Sequence, residues 1–227
     1  MTVRTGFTTS THGFPFPNWF PPGSPVVILP TPLGPLKLGD ANAGLCGGMV
    51  YAALDLFVYG QPRPETATPP VFRYLCKRLL ESWDLPFGVL KYYDGQRRPG
   101  ASRMLGDLRI VDGLTRQTVL DEWPKIRELL DTGRPAPLGL VTVASFDPRQ
   151  LVKNHQVLAH GYNLSPDGHR VTLHVYDPNY PNDDSATLTL RLDDPDAAVP
   201  IVHSCEGGSV RGLFLSGYAR PPEPPAW

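Results

Sequence analysis

Proline restricts the conformations of this chain more than any other residue type. The 227 residues include 27 prolines and 22 glycines, together about twice the usual share. Because proline fixes φ and lacks a backbone N–H, helices and central strands must form in the intervals between prolines. Eight prolines fall within residues 14–35. We therefore expect a single domain over residues 1–227, with an extended Pro-rich N-terminal arm over about 1–36 and a loose Pro-rich tail over about 220–227.

The charge balance and the cysteines exclude several classes of protein. Lys and Arg number 21 against 22 Asp and Glu, so no basic surplus favours nucleic acid. No apolar run approaches the ~20 residues of a membrane span, and the start lacks the pattern of a signal peptide. Cys46, Cys76 and Cys205 are too widely spaced for a disulfide framework or a CxxC zinc site. We expect a cytoplasmic protein without nucleic-acid or membrane partners, and leave signal-independent export and the oligomeric state open.

Apolar periodicity predicts helices in the first part of the chain and strands in the second. One helix begins near Cys46 and ends at Gly60, the next covers about 71–83, and a third lies within about 116–131. Strands are predicted at 138–144, 155–163, 169–176, 187–192 and 213–218. Helices followed by antiparallel strands indicate an α+β domain, with the helical part packed on an antiparallel β-sheet.

A cysteine opens the first predicted helix. At a helix N-terminus the unpaired N–H groups and the positive end of the dipole favour the thiolate of Cys46, which is the nucleophilic form. The adjacent glycines would let a substrate approach, and a backbone N–H such as that of Gly47 could stabilise an oxyanion. The alternative is a buried, inert thiol at the start of an apolar stripe, which is our interpretation of Cys76.

A predicted hairpin contains a candidate base and a candidate acid. Ser165-Pro-Asp-Gly168 is a strong turn signal between the strands 155–163 and 169–176. Symmetric pairing would place His155 directly opposite Asp177, with Cβ atoms about 5 Å apart. Asn179, just beyond Pro178, is a second candidate for orienting the imidazole.

Side-chain alternation assigns the two candidates to one face of this hairpin. The predicted apolar face also carries Val157, Ala159, Val171, Leu173 and Val175, and the polar face carries Gln156, His160, Tyr162, Arg170, Thr172 and His174. If the first helix packs on the apolar face, Cys46 comes within reach of His155, and Asp177 holds the imidazole. Nucleophile, base and orienting acid are the parts of activated-nucleophile catalysis.

These motifs resemble the papain-like cysteine peptidase superfamily. The shared features are a Cys that opens a helix, a later strand reading His155-Gln-Val-Leu-Ala-His-Gly-Tyr162, and an Asp that closes the next strand. The Asp177-Pro178 ending is most similar to bacterial peptidases that trim double-glycine leaders from bacteriocins. The resemblance implies a papain-like α+β fold, with Cys46 as nucleophile, His155 as general base and acid, and Asp177 as the third member.

The chain departs from the papain-type pattern around the cysteine. The Cys-Gly-Ser-Cys-Trp block is absent, and Asp40 stands where papain-type enzymes carry an oxyanion-stabilising Gln. A carboxylate there would oppose an oxyanion, and Asn42 is the nearest amide donor that could replace it.

The expected function is that of a cysteine peptidase or amide hydrolase. A peptide or other amide would acylate Cys46, and the thioester would then be hydrolysed, without a metal or an organic cofactor. Two alternatives stay open. One is a catalytically silent papain-like binding module, which Asp40 favours, and the other is an acyltransferase that uses the same triad and needs an amine acceptor.

Two further groupings are weaker candidates. His160 and His174 share the predicted polar face but lack a third ligand, so surface positions are favoured over a metal site. His203 and Cys205 form a second Cys/His pair, but they lie in a Gly-rich turn without a helix to polarise the thiol.

Overall fold

The computed structural model describes residues 1–31, 34–38, 40–83, 87–205 and 209–227. Its helices are α1 (Thr9–His12), α2 (Cys46–Tyr59), α3 (Pro69–Ser82), α4 (Phe87–Arg97), α5 (Leu114–Arg116) and α6 (Trp123–Asp131). A π-helical stretch, Gln117–Glu122, joins α5 to α6. Short 3-10 turns lie at Ala41–Ala43 and Pro148–Lys153.

The strands outnumber the helices. They are β1 (Thr2–Arg4), β2 (Val27–Thr31), β3 (Gly34–Leu38), β4 (Arg103–Leu105), β5 (Leu108–Val111), β6 (Ala136–Val141), β7 (His155–Leu164), β8 (Arg170–Tyr176), β9 (Thr187–Arg191), β10 (Ile201–His203), β11 (Ser209–Val210) and β12 (Gly212–Leu215). An eight-stranded sheet has the order β11-β10-β9-β8-β7-β6-β12, and β1 joins it by pairing with β7. The strand pairings are antiparallel. Two separate hairpins, β2-β3 and β4-β5, complete the described strands.

The papain-like α+β class predicted from the sequence is wrong. The described chain is a mostly antiparallel sheet with few helices, which does not fit a helical part packed on a sheet. The sheet is larger than expected because β1, β10 and β11 extend it. These strands are only three, three and two residues long, too short for alternation to reveal them.

Three helices follow the sequence pattern. The first, α2, begins at Cys46 as predicted, and Gly60 ends it with a left-handed φ of 62°. The second, α3, begins at Pro69 slightly before the predicted start. Pro124 lies in the first turn of α6, where its missing N–H costs no hydrogen bond. The helix α4 was not predicted.

The predicted register of the hairpin is wrong. Leu158 of β7 lies opposite Tyr176 of β8, and the register shifts between Ala159 and Gly161. His155 is instead paired with Leu140 of β6. The pairs between the turn and the bulge, such as Leu164 with Val171, are already not symmetric about Pro166. The turn is therefore centred further along the chain than predicted, and the bulge changes the register once more.

The predicted polar face of β7 is wrong, whereas the five residues of the predicted apolar face do share one buried cluster. Residues 156–162 of β7 are all buried, because apolar clusters cover both sides of the strand. The cluster that contains α2 and α3 includes Leu158 and Tyr176. The cluster that contains α6 includes Val157, Ala159 and Tyr162. The helix α2 therefore contacts the side that the sequence assigned to polar residues.

The arm and the tail both contact the rest of the chain. Phe7, Phe14 and Phe20 of the arm are buried in the cluster that contains α2 and α3. In the tail, the Pro221 carbonyl accepts a hydrogen bond from the Tyr59 hydroxyl at 2.6 Å. Within the described ranges, no helix has the length and apolar character needed to cross a membrane.

Candidate active site

Cys46, His155 and Asp177 meet in the structure. His155 is the first residue of β7, Asp177 directly follows β8, and Cys46 is the first residue of α2. Nε2 of His155 lies 2.7 Å from Oδ1 of Asp177, and Cys46 lies close enough to the same imidazole to help raise its pKa. A carboxylate can only accept, so Nε2–H donates to Asp177 and Nδ1 is the ring atom left for the sulfur.

Burial differs across the three side chains. Asp177 is fully buried, the His155 side chain is 12% exposed, and Cys46 is partly exposed. The carboxylate is thus shielded from water, while the residue that carries the thiol is only partly buried. An activated nucleophile with an orienting acid requires this difference in burial between the acid and the nucleophile.

The electrostatics of the pair favour the charged forms. Burial acts to lower the pKa of His155, but the Asp177 carboxylate and Cys46 outweigh it and raise that pKa well above its ordinary value. Burial acts to raise the pKa of Asp177, but His155, His203 and the Asn179 N–H hold it well below its usual range. An imidazolium facing a carboxylate is the favoured state.

Asn18 of the Pro-rich arm connects the two halves of this site. Its Oδ1 accepts the Leu45 N–H at 2.5 Å, directly before the helix that carries the thiol. Its Nδ2 donates to Oδ1 of Asn179 at 3.1 Å, and its N–H donates to the Pro178 carbonyl at 2.9 Å. A Cβ on Gly44 (φ 92°) would lie 2.6 Å from Nδ2 of Asn18, so glycine is required there.

Tyr92 lies near Cys46 and Gln156 lies against Gly47, and neither was a site candidate. The Tyr92 hydroxyl donates to the His155 carbonyl at 3.1 Å. Burial, and then the nearby Cys46, raise the pKa of Tyr92, while a hydrogen bond from Gln156 opposes them. A Cβ on Gly47 would lie 2.6 Å from Oε1 of Gln156. Gln156 could have been considered because it adjoins His155, but Tyr92 belongs to the unpredicted helix α4.

His203 is the other residue at Asp177 that the sequence did not assign to this site. Its Nε2 lies 3.0 Å from Oδ2 of Asp177, so each carboxylate oxygen faces an imidazole. Sequence reasoning paired His203 with Cys205 because the two are neighbours in the chain. In the structure, the Cys205 sulfur contacts Oδ2 of Asp183 at 3.4 Å instead.

The weaker candidates have other contacts. Asp40 caps the 3-10 turn by accepting the N–H of Asn42 at 2.9 Å and of Gly23 at 3.1 Å, and these bonds lower its pKa. The Asn42 side chain is exposed. Gly47 is buried, and a Cβ there would lie 2.2 Å from Oγ of Ser82. The Asn179 N–H donates to Oδ1 of Asp177 at 2.8 Å, so this residue holds the carboxylate and not the imidazole.

Metal ligation has little support in the described residues, where no group of three or more His, Cys, Asp or Glu is placed to hold an ion. The surface position predicted for His160 is wrong, since that residue is only 5% exposed. Burial lowers the pKa of His160 to about 4. Its ring lies 5.6 Å from that of Phe7, so it is part of the interior.

Comparison with protein-family models, with curated proteins and with solved structures finds no match to this chain. The resemblance to papain-like peptidases therefore depends on the quoted motifs alone. What the residues around Cys46 do must be argued from their own geometry.

Proposed function

We propose that this chain is a cysteine hydrolase that cleaves a peptide or another amide through Cys46. The main support is the 2.7 Å hydrogen bond from Nε2 of His155 to buried Asp177, beside a Cys46 that lies close enough to the imidazole to help raise its pKa. Three residues from distant parts of the chain thus take the positions of nucleophile, base and orienting acid. The proposal does not depend on the fold class.

The proposed reaction has two steps. Sγ of Cys46 attacks the substrate carbonyl, and the C–N bond breaks as the His155 imidazolium gives its Nδ1 proton to the leaving amine. A thioester remains. Water then attacks the thioester while His155 accepts a proton from it, which releases the carboxylic acid and restores the thiol and imidazole pair.

The oxyanion is assigned to the start of α2. The first N–H groups of a helix have no acceptor within the helix, and no side chain caps α2. The Cys46 N–H is the donor closest in the chain to the attacking sulfur. We place the activity in the cytoplasm, because the mechanism needs a reduced thiol and all three cysteines are free.

Alkylation tests the proposed nucleophile without a known substrate. At about pH 6 an ordinary thiol is almost fully protonated. We expect iodoacetamide to modify Cys46 at least about tenfold faster than Cys205, as measured by peptide mass spectrometry. His155→Gln should remove this preference, because the proton acceptor is lost. Cys205→Ala is the matched control and should leave the rate at Cys46 unchanged.

Turnover is tested with a library of fluorogenic peptide and acyl-amide substrates, using Cys46→Ala as the control. Release that depends on Cys46 supports the hydrolase. An equal alkylation rate for Cys46 in native and urea-unfolded protein would contradict the proposal. Reactivity at Cys46 with release only in the presence of an added amine would identify an acyltransferase.

A further inference from the structure

His203 is buried against the carboxylate of Asp177. It is the last residue of β10 and pairs with Leu188 of β9, and it is only 3% exposed. Its Nε2 lies 3.0 Å from Oδ2 of Asp177. Oδ1 of the same carboxylate already accepts from His155 at 2.7 Å and from the Asn179 N–H at 2.8 Å.

The backbone defines the tautomer of His203. Its Nδ1 accepts the N–H of Cys205 at 3.1 Å. A nitrogen that accepts a hydrogen bond carries no proton, so the ring proton is on Nε2. His203 therefore presents a proton-bearing nitrogen to the carboxylate, 3.0 Å from Oδ2 of Asp177.

We propose that His203 is a positioning residue that acts on the catalytic imidazole through Asp177, an inference that rests on the proposed hydrolase function. With donors on Oδ1 alone, the Asp177 carboxylate could rotate about its Cβ–Cγ bond. The Nε2 group of His203, 3.0 Å from Oδ2, restricts this rotation and so defines the plane of the carboxylate. This plane sets the direction of the Asp177–His155 hydrogen bond, and hence the direction in which Nδ1 faces Cys46.

The donor also favours the ionised carboxylate. A hydrogen bond to the charged form of an acid stabilises that form, and His203 contributes in this way to the low pKa of Asp177. Oδ2 is enclosed by protein, so no solvent donor would replace the contact with His203. Removing the imidazole should therefore weaken the partner on which His155 depends.

A double-mutant cycle tests this coupling. His203→Leu removes the donor, and His203→Gln retains an amide N–H near the Nε2 position. We expect His203→Leu to lower the alkylation rate of Cys46 at about pH 6 by about tenfold or more, and His203→Gln to restore most of it. In the Asp177→Asn background, His203→Leu should have no further effect. The full rate profile of His203→Leu should lie at higher pH than that of the native chain.

Equal effects of His203→Leu in both backgrounds would overturn the inference, as would failure of His203→Gln to exceed His203→Leu. Thermal melts of each variant identify loss of fold, and His203→Gln serves as the test where the leucine variant does not fold.

Histidine ¹⁵N spectra separate this inference from the proposed function. The native chain should show His203 as the Nε2–H tautomer, with a signal that moves in Asp177→Asn. Cys46 could prove inert while this result still holds, in which case only the hydrolase proposal fails. An Nδ1–H tautomer, or a His203 signal unchanged in Asp177→Asn, would overturn the positioning role even with a reactive thiol.

Discussion

The contact between the buried carboxylate of Asp177 and the imidazole of His155 stabilises the fold over a limited range of pH. His155 sets the upper limit of that range and Asp177 sets the lower limit. The His155 pKa is raised above its ordinary value of 6.5, so its contribution is complete below about pH 6.5 and is lost as the pH rises through the folded-state pKa. The Asp177 pKa is lowered from 3.8, so its contribution is complete above about pH 4 and is lost as the pH falls through the folded-state pKa. The contact is strongest between these limits.

Replacement of Asp177 should therefore destabilise the chain in a pH-dependent way. Asp177→Asn leaves a buried imidazole without its counter-charge, and we expect a loss of about 3–5 kcal/mol in the free energy of unfolding near pH 5. Urea unfolding at several pH values measures the difference from the native chain. The difference should shrink both in acid and in alkali. A difference independent of pH would contradict the charged pair.

Single residues explain what the sequence could and could not predict about the site. Cys46 and His155 begin regular elements and Asp177 directly follows one, so the predicted helices and strands identify all three as candidates. Asn18 and His203 have no such signal. Asn18 lies in a Pro-rich arm without periodicity, and His203 reaches Asp177 through strand pairing between distant segments.

At the scale of elements, the helices α2 and α3 are joined by a buried ion pair. Nε of Arg78 lies 2.8 Å from Oδ2 of Asp55, with side chains 3% and 0% exposed. The hydroxyls of Tyr74 and Tyr218 donate to the same carboxylate at 2.9 and 2.7 Å. Desolvation raises the pKa of Asp55, although Arg78 and both hydroxyls oppose this. The donors around the carboxylate compensate for its burial.

Asp55→Ala should destabilise the chain strongly, because it leaves Arg78 buried without its main partner. We expect a loss of about 3–5 kcal/mol in the free energy of unfolding, measured by urea titration. The matched control is Asp94→Ala in α4, which breaks the more exposed Arg98–Asp94 pair of 2.8 Å. That change should cost less than about 1 kcal/mol. Equal costs for the two variants would show that burial does not govern this pair.

Helices and strands could be predicted from the sequence more successfully than the register in which the strands pair. Helix α2 has a legible apolar stripe and a glycine that ends it, so both of its ends could be predicted. The hairpin β7-β8 has equally clear alternation, but alternation gives neither the centre of the turn nor the bulge between Ala159 and Gly161. Because apolar clusters pack on both sides of β7, the pattern of apolar residues does not indicate which side contacts the helix α2.

At the scale of the whole molecule, the fold class was misjudged because long elements dominate a sequence pattern. Three helices and five strands could be recognised, and they suggested separate helical and sheet parts. The short strands β10 and β11, and β1 at the N-terminus, extend the five recognised strands to an eight-stranded sheet. Tertiary contacts determine where these short strands pair, and local periodicity carries no information about such contacts.

The arm that carries β1 also completes the proposed site. Asn18 binds the backbone just before α2 and the turn that follows Asp177, so two distant segments share one side chain. The position of the thiol relative to the imidazole should therefore depend on an arm that supplies none of the reacting atoms.

Asn18→Ala tests this dependence. The variant should lose about 1–3 kcal/mol of stability, because the Leu45 N–H loses its acceptor, and its Cys46 should alkylate about tenfold more slowly at about pH 6. Trp19→Ala is the matched control, since that neighbouring side chain is 65% exposed; it should change neither quantity. If Asn18→Ala loses stability but keeps the native alkylation rate, the arm supports the fold alone, and the geometry of the thiol is set by α2 and β7.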